Sequence, residues 1–286
     1  MSGTSAPRPF RVTMLGTGTS SGVPAIGCDC AVCRSTDPRD RRTRPSILLD
    51  FGDSGDSGNR ADLAGGAAGA VAGSVRHVLV DTSTDLRAQA LANDVRRVDA
   101  ILFTHAHADH VFGIDEVRRF NHMQRSPIPI MASPDVLADI REMFAYIFKP
   151  PPAHGGGVPK LVPFAIGGPF SLGGLEVVPV PVLHGPLPVL GFRIGAFAYL
   201  TDCNEIPEAS WALLGGVRVL VLDALRERPH STHFSVDQAL AVVDRMKPER
   251  AYFTHIAHDL AHDATCARLP GGVELAYDGQ VLEIPG

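Results

Sequence analysis

Short apolar runs alternate with amphipathic segments along most of the chain. The apolar runs of the first part predict buried β-strands, at Phe10 to Leu15, Ser46 to Phe51, His77 to Val80 and Val98 to Phe103. Apolar residues at helical spacing predict helices over Asp85 to Asn93, Val136 to Phe148 and Ser235 to Met246. This alternation of strand-like and helix-like segments is typical of an α/β fold.

Four of the apolar runs end in histidine or aspartate. Directly after Phe103 comes a polar cluster that contains His105, His107, Asp109 and His110. Further along the chain the run-ending residues are His184 after Pro179 to Leu183, Asp202 after Phe197 to Thr201, and His255 after Ala251 to Thr254. In sheets flanked by helices, functional groups gather in the loops at strand ends. The repetition therefore indicates one common site rather than four ordinary strand-end polar residues.

The residue types of this site predict metal binding. Imidazole and carboxylate together suit zinc, manganese, iron or nickel better than calcium. The loop from His105 to His110 alone offers four ligands, which are too many for one open tetrahedral site that must also hold water. Two adjacent metals are therefore expected. The alternative is a polar loop with chance histidines, which the clustering of this uncommon residue disfavours.

The order of these residues resembles the hallmark of the metallo-β-lactamase superfamily, a His-x-His-x-Asp-His motif followed by a lone His, a lone Asp and a final His. The resemblance runs from residue 11 to about residue 260. It implies a four-layer αββα sandwich with the site at one edge of two packed sheets. The implied ligand sets are His105, His107 and His184 for one metal, Asp109, His110 and His255 for the other, and Asp202 as the bridge. The implied metals are zinc or manganese.

A second cluster predicts a separate structural zinc. Cys28, Cys30 and Cys33 lie within six residues of one another, and His258 follows three residues after His255. Three thiols leave one over if they pair among themselves, whereas a Cys₃His set forms a closed tetrahedral zinc site. With the loop from Leu15 to Pro24, this spacing resembles the phosphoribosyl cyclic phosphodiesterase family of the carbon–phosphorus lyase pathway, which carries such a zinc. A loop of free thiols is the alternative.

Composition bears on the partners of the protein and on its cellular compartment. The net charge is −5, from 26 basic and 31 acidic residues, so there is no general basic field for nucleic acid, although Arg39 to Arg44 is locally basic. No apolar run approaches transmembrane length, so no membrane association is expected. Residues Met1 to Pro9 do not resemble a signal peptide. We expect a cytoplasmic protein, because a reducing compartment favours thiolate–metal sites over disulfides.

The spread of the ligands bears on domain organisation. Ligands from residue 105 to residue 255 must converge, so residues 1–286 are expected to form a single domain. The segment Gly52 to Ser74 is rich in Gly, Ala, Ser and Asp and predicts a flexible insertion. A short helix over Ala64 to Ala72 is the alternative, weakened by its glycines. A homodimer is one of the alternatives for the oligomeric state.

The predicted metals and one further histidine suggest phosphoryl chemistry. Two metals about 3.5–4 Å apart can share a hydroxide and support in-line displacement at phosphorus. Asp109 could orient or deprotonate the attacking water, and His233, in the loop before the third predicted helix, could protonate the leaving alkoxide. The resemblance also implies a proton-donating or phosphate-binding His at this point. His230 is the rival donor, and either residue could instead be a simple helix-entry polar group.

The leading hypothesis is a dinuclear metal phosphodiesterase whose substrates are small nucleotide or sugar phosphates, cyclic ones included. The first alternative is thioester, ester or lactam hydrolysis on the same metals. An RNA-processing nuclease is another, which the acidic balance disfavours, and nucleic acid is not expected as a partner. A non-catalytic, zinc-stabilised binding module is a further alternative, disfavoured by the seven active-site ligands.

Three features have two interpretations each. The loop from Gly16 to Gly22 lacks the lysine of a P-loop and is expected to form a turn, with substrate contact as the alternative. The prolines and glycines of residues 149–157 predict either a lid or a surface loop. Arg118 and Asn121 either contact the substrate or cap and solvate a helix.

Overall fold

The structure is a computed structural model that describes residues 9–52, 76–149, 157–172 and 174–286. Apart from Gly52, the predicted flexible insertion lies outside these residues. Most of the segment 149–157, predicted as a lid or a surface loop, lies outside them as well.

The described residues form fourteen strands and eight α-helices. The strands are β1 (Phe10–Gly16), β2 (Ser46–Asp50), β3 (His77–Val80), β4 (Ala100–Leu102), β5 (Ile128–Ala132), β6 (Leu161–Ala165), β7 (Phe170–Leu172), β8 (Leu175–His184), β9 (Leu187–Ile194), β10 (Phe197–Leu200), β11 (Val219–Asp223), β12 (Arg250–Thr254), β13 (Val273–Leu275) and β14 (Val281–Ile284). The helices are α1 (Leu86–Ala92), α2 (Ala108–Val111), α3 (Val117–Gln124), α4 (Pro134–Met143), α5 (Ala145–Phe148), α6 (Glu208–Trp211), α7 (Val236–Met246) and α8 (His262–Cys266). Short 3₁₀ turns occupy Pro38–Asp40, Ile114–Glu116 and Ala212–Leu214.

The strands form two mixed sheets of seven, in the orders β14-β1-β2-β3-β4-β5-β6 and β13-β12-β11-β10-β9-β8-β7. In the first sheet, β3 to β6 run parallel and the remaining neighbours pair antiparallel. In the second sheet, β10 to β13 run parallel and β7 to β10 pair antiparallel. Each sheet thus has a parallel half, whose strand ends share one edge.

Three apolar clusters define four layers. The first joins the facing sides of the two sheets, with Val12 and Phe192 among its fully buried members. The second packs helices α6 to α8 on the outer side of the second sheet. The third packs helices α1 to α5 on the outer side of the first sheet. Strands β4 and β11 are buried along their whole length, as expected for parallel strands covered on both faces. The predicted four-layer αββα sandwich is confirmed.

The helices begin where local capping signals place them. Ser235 caps α7 in a capping box with Gln238, so this helix matches its prediction closely. The prediction of one helix over Val136 to Phe148 is wrong in detail. The chain has two helices there, because Phe144 leaves the helical conformation at φ −113° and ψ 40° between Met143 and Ala145. The Phe144 ring instead packs edge-on against Phe112, with 5.8 Å between the ring centroids.

Within the described part of the chain, the longest helix has eleven residues, and none is both long and apolar enough to span a bilayer.

Candidate metal centre

The residues predicted as active-site ligands lie at the carboxyl ends of strands from both sheets. The His105–His110 cluster follows β4, and its last two ligands lie on the short helix α2. His184 ends β8, Asp202 follows β10 and His255 follows β12. Strand β8 runs in the same direction as the parallel strands β10 to β12, so His184, Asp202 and His255 lie at one edge of their sheet. The His105 ring, from the other sheet, lies 5.8 Å from that of His184, so the strand ends of both sheets meet there.

Two of these ligands, and one residue beside them, adopt a backbone conformation that is rare for residues other than glycine. Asp81, Asp202 and His255 have φ values of 63°, 52° and 59°. Such conformations are costly, and they persist where surrounding contacts hold them, often at functional sites. In this protein they occur just after the ends of β3, β10 and β12, where the chain enters the site.

Asp81, at the end of β3, orients two of the histidines. Its carboxylate is completely buried and accepts hydrogen bonds from the Thr104 amide and hydroxyl, both at 2.9 Å. It also lies 2.7 Å from His110 Nδ1, which acts as the donor. Because the Thr104 hydroxyl donates to Asp81, it accepts from His105 Nδ1 at 3.0 Å. Both imidazoles therefore direct Nε2 toward the cluster, as metal-binding histidines do.

One group of donor atoms is close enough together to share a cation. Ligand atoms of Asp109, His110, Asp202 and His255 lie within 4.8 Å of one another. The Asp202 carboxylate is 3.0 Å from His110 Nε2 and 3.2 Å from His255 Nε2. These nitrogens and His105 Nε2 are buried, and despite the nearby carboxylate none of them makes a hydrogen bond within the described residues. Buried polar nitrogens normally have a partner, so this orphaned set fits a metal ion.

The other predicted ligand group lies beside the first and consists of His105, His107 and His184. The ring centroids of His105 and His107 are 4.5 Å apart, and those of His107 and His184 are 5.1 Å apart. His184 Nδ1 donates to the Thr232 carbonyl at 2.8 Å, which leaves its Nε2 free for a ligand. The geometry therefore brings together all seven predicted ligands.

The Asp202 carboxyl and the His105 imidazole are held in the protonation states that bind metals. Burial by itself raises the pKa of the Asp202 carboxyl, but His110 and His255 beside it hold that pKa well below its usual range. Burial lowers the pKa of His105 well below its usual value, which keeps that imidazole neutral. A deprotonated carboxylate and a neutral imidazole are the forms that bind metals.

His233 lies beside this cluster and is held by Asp223. Its Nδ1 is 2.7 Å from Asp223 Oδ2, and its ring stacks on His255 with 4.6 Å between centroids. The Asp223 carboxylate accepts from Nδ1, so Nε2 is the nitrogen that remains for substrate or metal. His230, the rival, has its ring 5.2 Å from that of His233 and contacts Thr232 through Nδ1.

The predicted structural zinc ligands also converge. Cys28, Cys30, Cys33 and His258 form a four-residue group of potential ligands. His258 Nδ1 is 3.2 Å from Cys28 Sγ and 3.4 Å from Cys30 Sγ, close to the ~3.6 Å expected between N and S ligands of a tetrahedral zinc. Hydrogen bonds from the Cys33 amide and His258 lower the pKa of the Cys30 thiol to about 6, while burial raises that of Cys33 to about 11. At least one thiolate is thus available at neutral pH.

The glycine-rich loop supports the His255 segment. The Thr19 amide donates to the Ile256 carbonyl at 3.0 Å, and the Ile256 amide donates to the Thr17 carbonyl at 2.9 Å. A Cβ at Gly16 would lie 1.9 Å from the Arg44 carbonyl oxygen, so only glycine allows this approach. The loop forms a turn, as predicted, and several of its amides are already bonded within the protein.

Asn121 and Arg118, the two residues considered as possible substrate contacts, make structural contacts instead. Asn121 bonds the backbone of Ser126 and Lys160, so it ties two loops together. Arg118 is half-exposed and pairs with Asp115 one helical turn earlier. Neither belongs to the clusters of potential metal ligands.

The motifs of the chain do not single out Asp81 and Asp223, although both hold a histidine of the site. The signal is present in the sequence, because Val78-Leu79-Val80 ends in Asp81 and Val219-Leu220-Val221-Leu222 ends in Asp223. These are two further apolar runs that end in an acidic residue.

Comparisons with known proteins identify the family. The model of the beta-lactamase superfamily domain matches residues 76–256. A crystal structure of a new diphosphatase from the PhnP family is 38% identical, covers 96% of this chain and 97% of its own, and superposes with a TM-score of 0.82. Zn²⁺-bound PqqB from Methylobacterium extorquens shares the fold at 21% identity, with 96% and 100% coverage and a TM-score of 0.68.

A curated protein of Porphyromonas gingivalis (strain ATCC BAA-308 / W83), named octanoyltransferase, is 34% identical over 272 residues. The match covers 94% of this chain but only 51% of that protein, so the chain spans about half the length of this relative. Family model, identity and superposition agree with the resemblance carried by the sequence motifs, which is confirmed. The chain belongs to the beta-lactamase superfamily of metal-dependent hydrolases and, within it, to the PhnP family.

Proposed function

We propose that this hydrolase cleaves small phosphodiesters, with nucleotide or sugar phosphates, cyclic ones included, as the substrate class. The observation that carries the proposal is the His233–Asp223 pair beside the metal ligands. Cleavage of a phosphodiester releases an alkoxide, which needs a proton of its own. A thioester releases a thiolate, which is a weaker base than an alkoxide and needs such a donor less.

The ligand sets proposed for two divalent metals, zinc or manganese, are those that the resemblance implies. Bound there, two cations would lower the pKa of a shared water and offset charge on the phosphoryl oxygens. Among the residues of the chain, Asp202 would span both positions, since its Oδ1 lies 3.9 Å from His105 Nε2 of one ligand set and 3.2 Å from His255 Nε2 of the other. Cys28, Cys30, Cys33 and His258 would hold a third, structural zinc.

Each of three residues of the site then has its own role in the reaction. Asp109 orients the attacking water and accepts its proton, while the water oxygen bonds to phosphorus. The bond from phosphorus to the leaving oxygen breaks on the opposite side. A proton on His233 Nε2 passes to that oxygen, and Asp223 fixes the ring through Nδ1 during the transfer. The products are a phosphomonoester and an alcohol, and for a cyclic substrate the two remain one molecule.

The names of the relatives define which substrates must be compared. A diphosphate shares the phosphorus centre with a phosphodiester, and the PhnP-family relative is described as a diphosphatase. The octanoyltransferase name applies to a protein about twice as long. An octanoyl thioester is nevertheless the sharpest probe of the acyl alternative.

A substrate panel with metal-loaded protein tests the proposal. The panel comprises bis-p-nitrophenyl phosphate, a ribosyl cyclic phosphate, a nucleoside diphosphate, an octanoyl thioester and a lactam, with the Asp202→Ala variant as the control for contaminating activity. We expect the highest kcat/KM with a phosphodiester and loss of that activity in the variant. Preferred turnover of the thioester or the lactam would overturn the proposal.

A further inference from the structure

A cavity of about 1000 Å³ opens directly beside the metal centre. His105 and His107 form part of its lining, so it is continuous with the place where the phosphoryl group would bind. His105 Nε2 is buried and has no hydrogen-bond partner among the described residues. The cavity is therefore connected to the reacting centre rather than separate from it.

The two elements that contribute most of the cavity lining differ in character. One wall is apolar and includes Leu187, Pro188 and Leu190 from β9. The other is formed by α4, which contributes Asp135, Asp139 and Glu142. Their spacing of four and three residues places these carboxylates on one face of the helix.

The acidic wall forms no salt bridges within the described ranges. Among the described residues that line the cavity there is no lysine or arginine. The metal end of the cavity would be positive when loaded, and the α4 end is negative. A group that reaches from the phosphorus toward α4 therefore meets an apolar wall and three negative charges.

The proposed proton donor His233 does not line the cavity, and the His184 ring is adjacent both to it and to a residue of the lining. The His184 ring is 5.1 Å from that of His107, which lines the cavity, and 4.6 Å from that of His233. If the leaving oxygen faces His233, the cavity is left for the ester group that stays on phosphorus. This assignment rests on the proposed function.

We infer that the cavity binds the retained ester group of the substrate and selects uncharged or cationic groups over anionic ones. An aminoalkyl or a hydroxyl-bearing group can contact the apolar wall and donate hydrogen bonds to Asp135, Asp139 or Glu142. A second phosphate or a carboxylate would face these three groups at close range and be repelled. The substrate class is thus narrowed to phosphodiesters without an additional anionic group on the retained side.

Three esters that share one leaving group test this selectivity. Each is a p-nitrophenyl phosphodiester, and the retained group is 2-(trimethylammonio)ethyl, its uncharged isostere 3,3-dimethylbutyl, or 2-sulfoethyl. We expect kcat/KM to fall in that order, by roughly 10- to 100-fold from the cationic to the anionic ester at low ionic strength. The difference should shrink as salt is added, because exposed charges are screened.

Variants of α4 assign the effect to the acidic wall. The double change Asp139→Asn with Glu142→Gln should lower the ratio of kcat/KM for the cationic over the anionic ester by roughly 3- to 10-fold. Asp139→Lys should lower it further. Asp244→Asn is the matched control, because Asp244 is an exposed carboxylate on α7, a helix that packs on the other sheet. It should leave the ratio unchanged.

The outcomes separate this inference from the proposed function. Turnover of all three esters at equal kcat/KM, or a ratio that the α4 variants do not change, would overturn the inference alone. Absence of turnover with these esters and with bis-p-nitrophenyl phosphate would refute the proposed function, and the inference with it.

Discussion

Removal of the His233 imidazole should slow cleavage most when the leaving group is poor. The metals implied by the ligand sets can stabilise the attacking water and the phosphoryl charge, but a departing alkoxide still needs a proton. His233→Ala should therefore lower kcat on an alkyl or ribosyl phosphodiester by roughly 10²- to 10⁴-fold, the usual range for general acid catalysis. On a p-nitrophenyl ester the loss should be far smaller, because p-nitrophenolate departs without protonation.

The hydrogen bond between His233 and Asp223 predicts a second, smaller effect on kcat. Asp223 is completely buried, His233 is 8% exposed, and the bond between them measures 2.7 Å. A hydrogen bond to a charged group contributes about 1.5–3 kcal/mol. At 1.36 kcal/mol per factor of ten, Asp223→Asn should lower kcat on the alkyl ester by roughly 10- to 100-fold. Its effect should show the same dependence on the leaving group as His233→Ala.

Steady-state kinetics on the matched alkyl and p-nitrophenyl esters measure both effects, with elemental analysis to verify unchanged metal content. His230→Ala is the control, since this histidine lies beside His233 but contacts Thr232 rather than an acid. Equal losses on both esters would refute the proton-donor role and indicate that His233 binds phosphate or a metal. Leaving-group dependence in His230→Ala alone would assign the role to His230.

Four further expectations follow from the same geometry. Cys30→Ser should lower Tm and leave modest activity, since each kcal/mol lost lowers Tm by roughly 2–4 °C; Cys266→Ser, a thiol outside the four-ligand group, is the control in calorimetry. Asp202→Ala should abolish turnover with a smaller change in Tm, because the proposed bridge between the two metals is lost. Mild chelation should leave about one zinc per folded chain by elemental analysis, since a closed thiolate site holds zinc strongly; no metal in a still-folded chain would exclude a separate structural site. Asp81→Asn should weaken active-site metal affinity by roughly 10- to 100-fold in titrations, because His110 loses its carboxylate acceptor and the Thr104 hydroxyl, which orients His105, loses its own.

The predictable part of this fold is the part that short-range patterns determine. The strands from Phe10 to Leu15 and from His77 to Val80 appear within a residue of their predicted bounds, since continuous apolar runs have few other places in a layered fold. The helix after Ser235 is equally well predicted, because its capping box is local. The break at Phe144 could not be found in this way. It accompanies a ring contact between Phe144 and Phe112, which lie in segments far apart in sequence.

The same distinction applies to the site. Residue type and strand-end position were sufficient to select the seven candidate ligands, since both can be taken from a single stretch of sequence. Asp81 and Asp223 have the same strand-end position, but each accepts a hydrogen bond from a histidine that lies elsewhere in the sequence. Asp81 reaches His110 across 29 residues, and Asp223 reaches His233 across 10 residues. A strand-end acid can therefore be recognised as belonging to the site edge from sequence, whereas its role as ligand or orienting partner depends on which imidazole faces it.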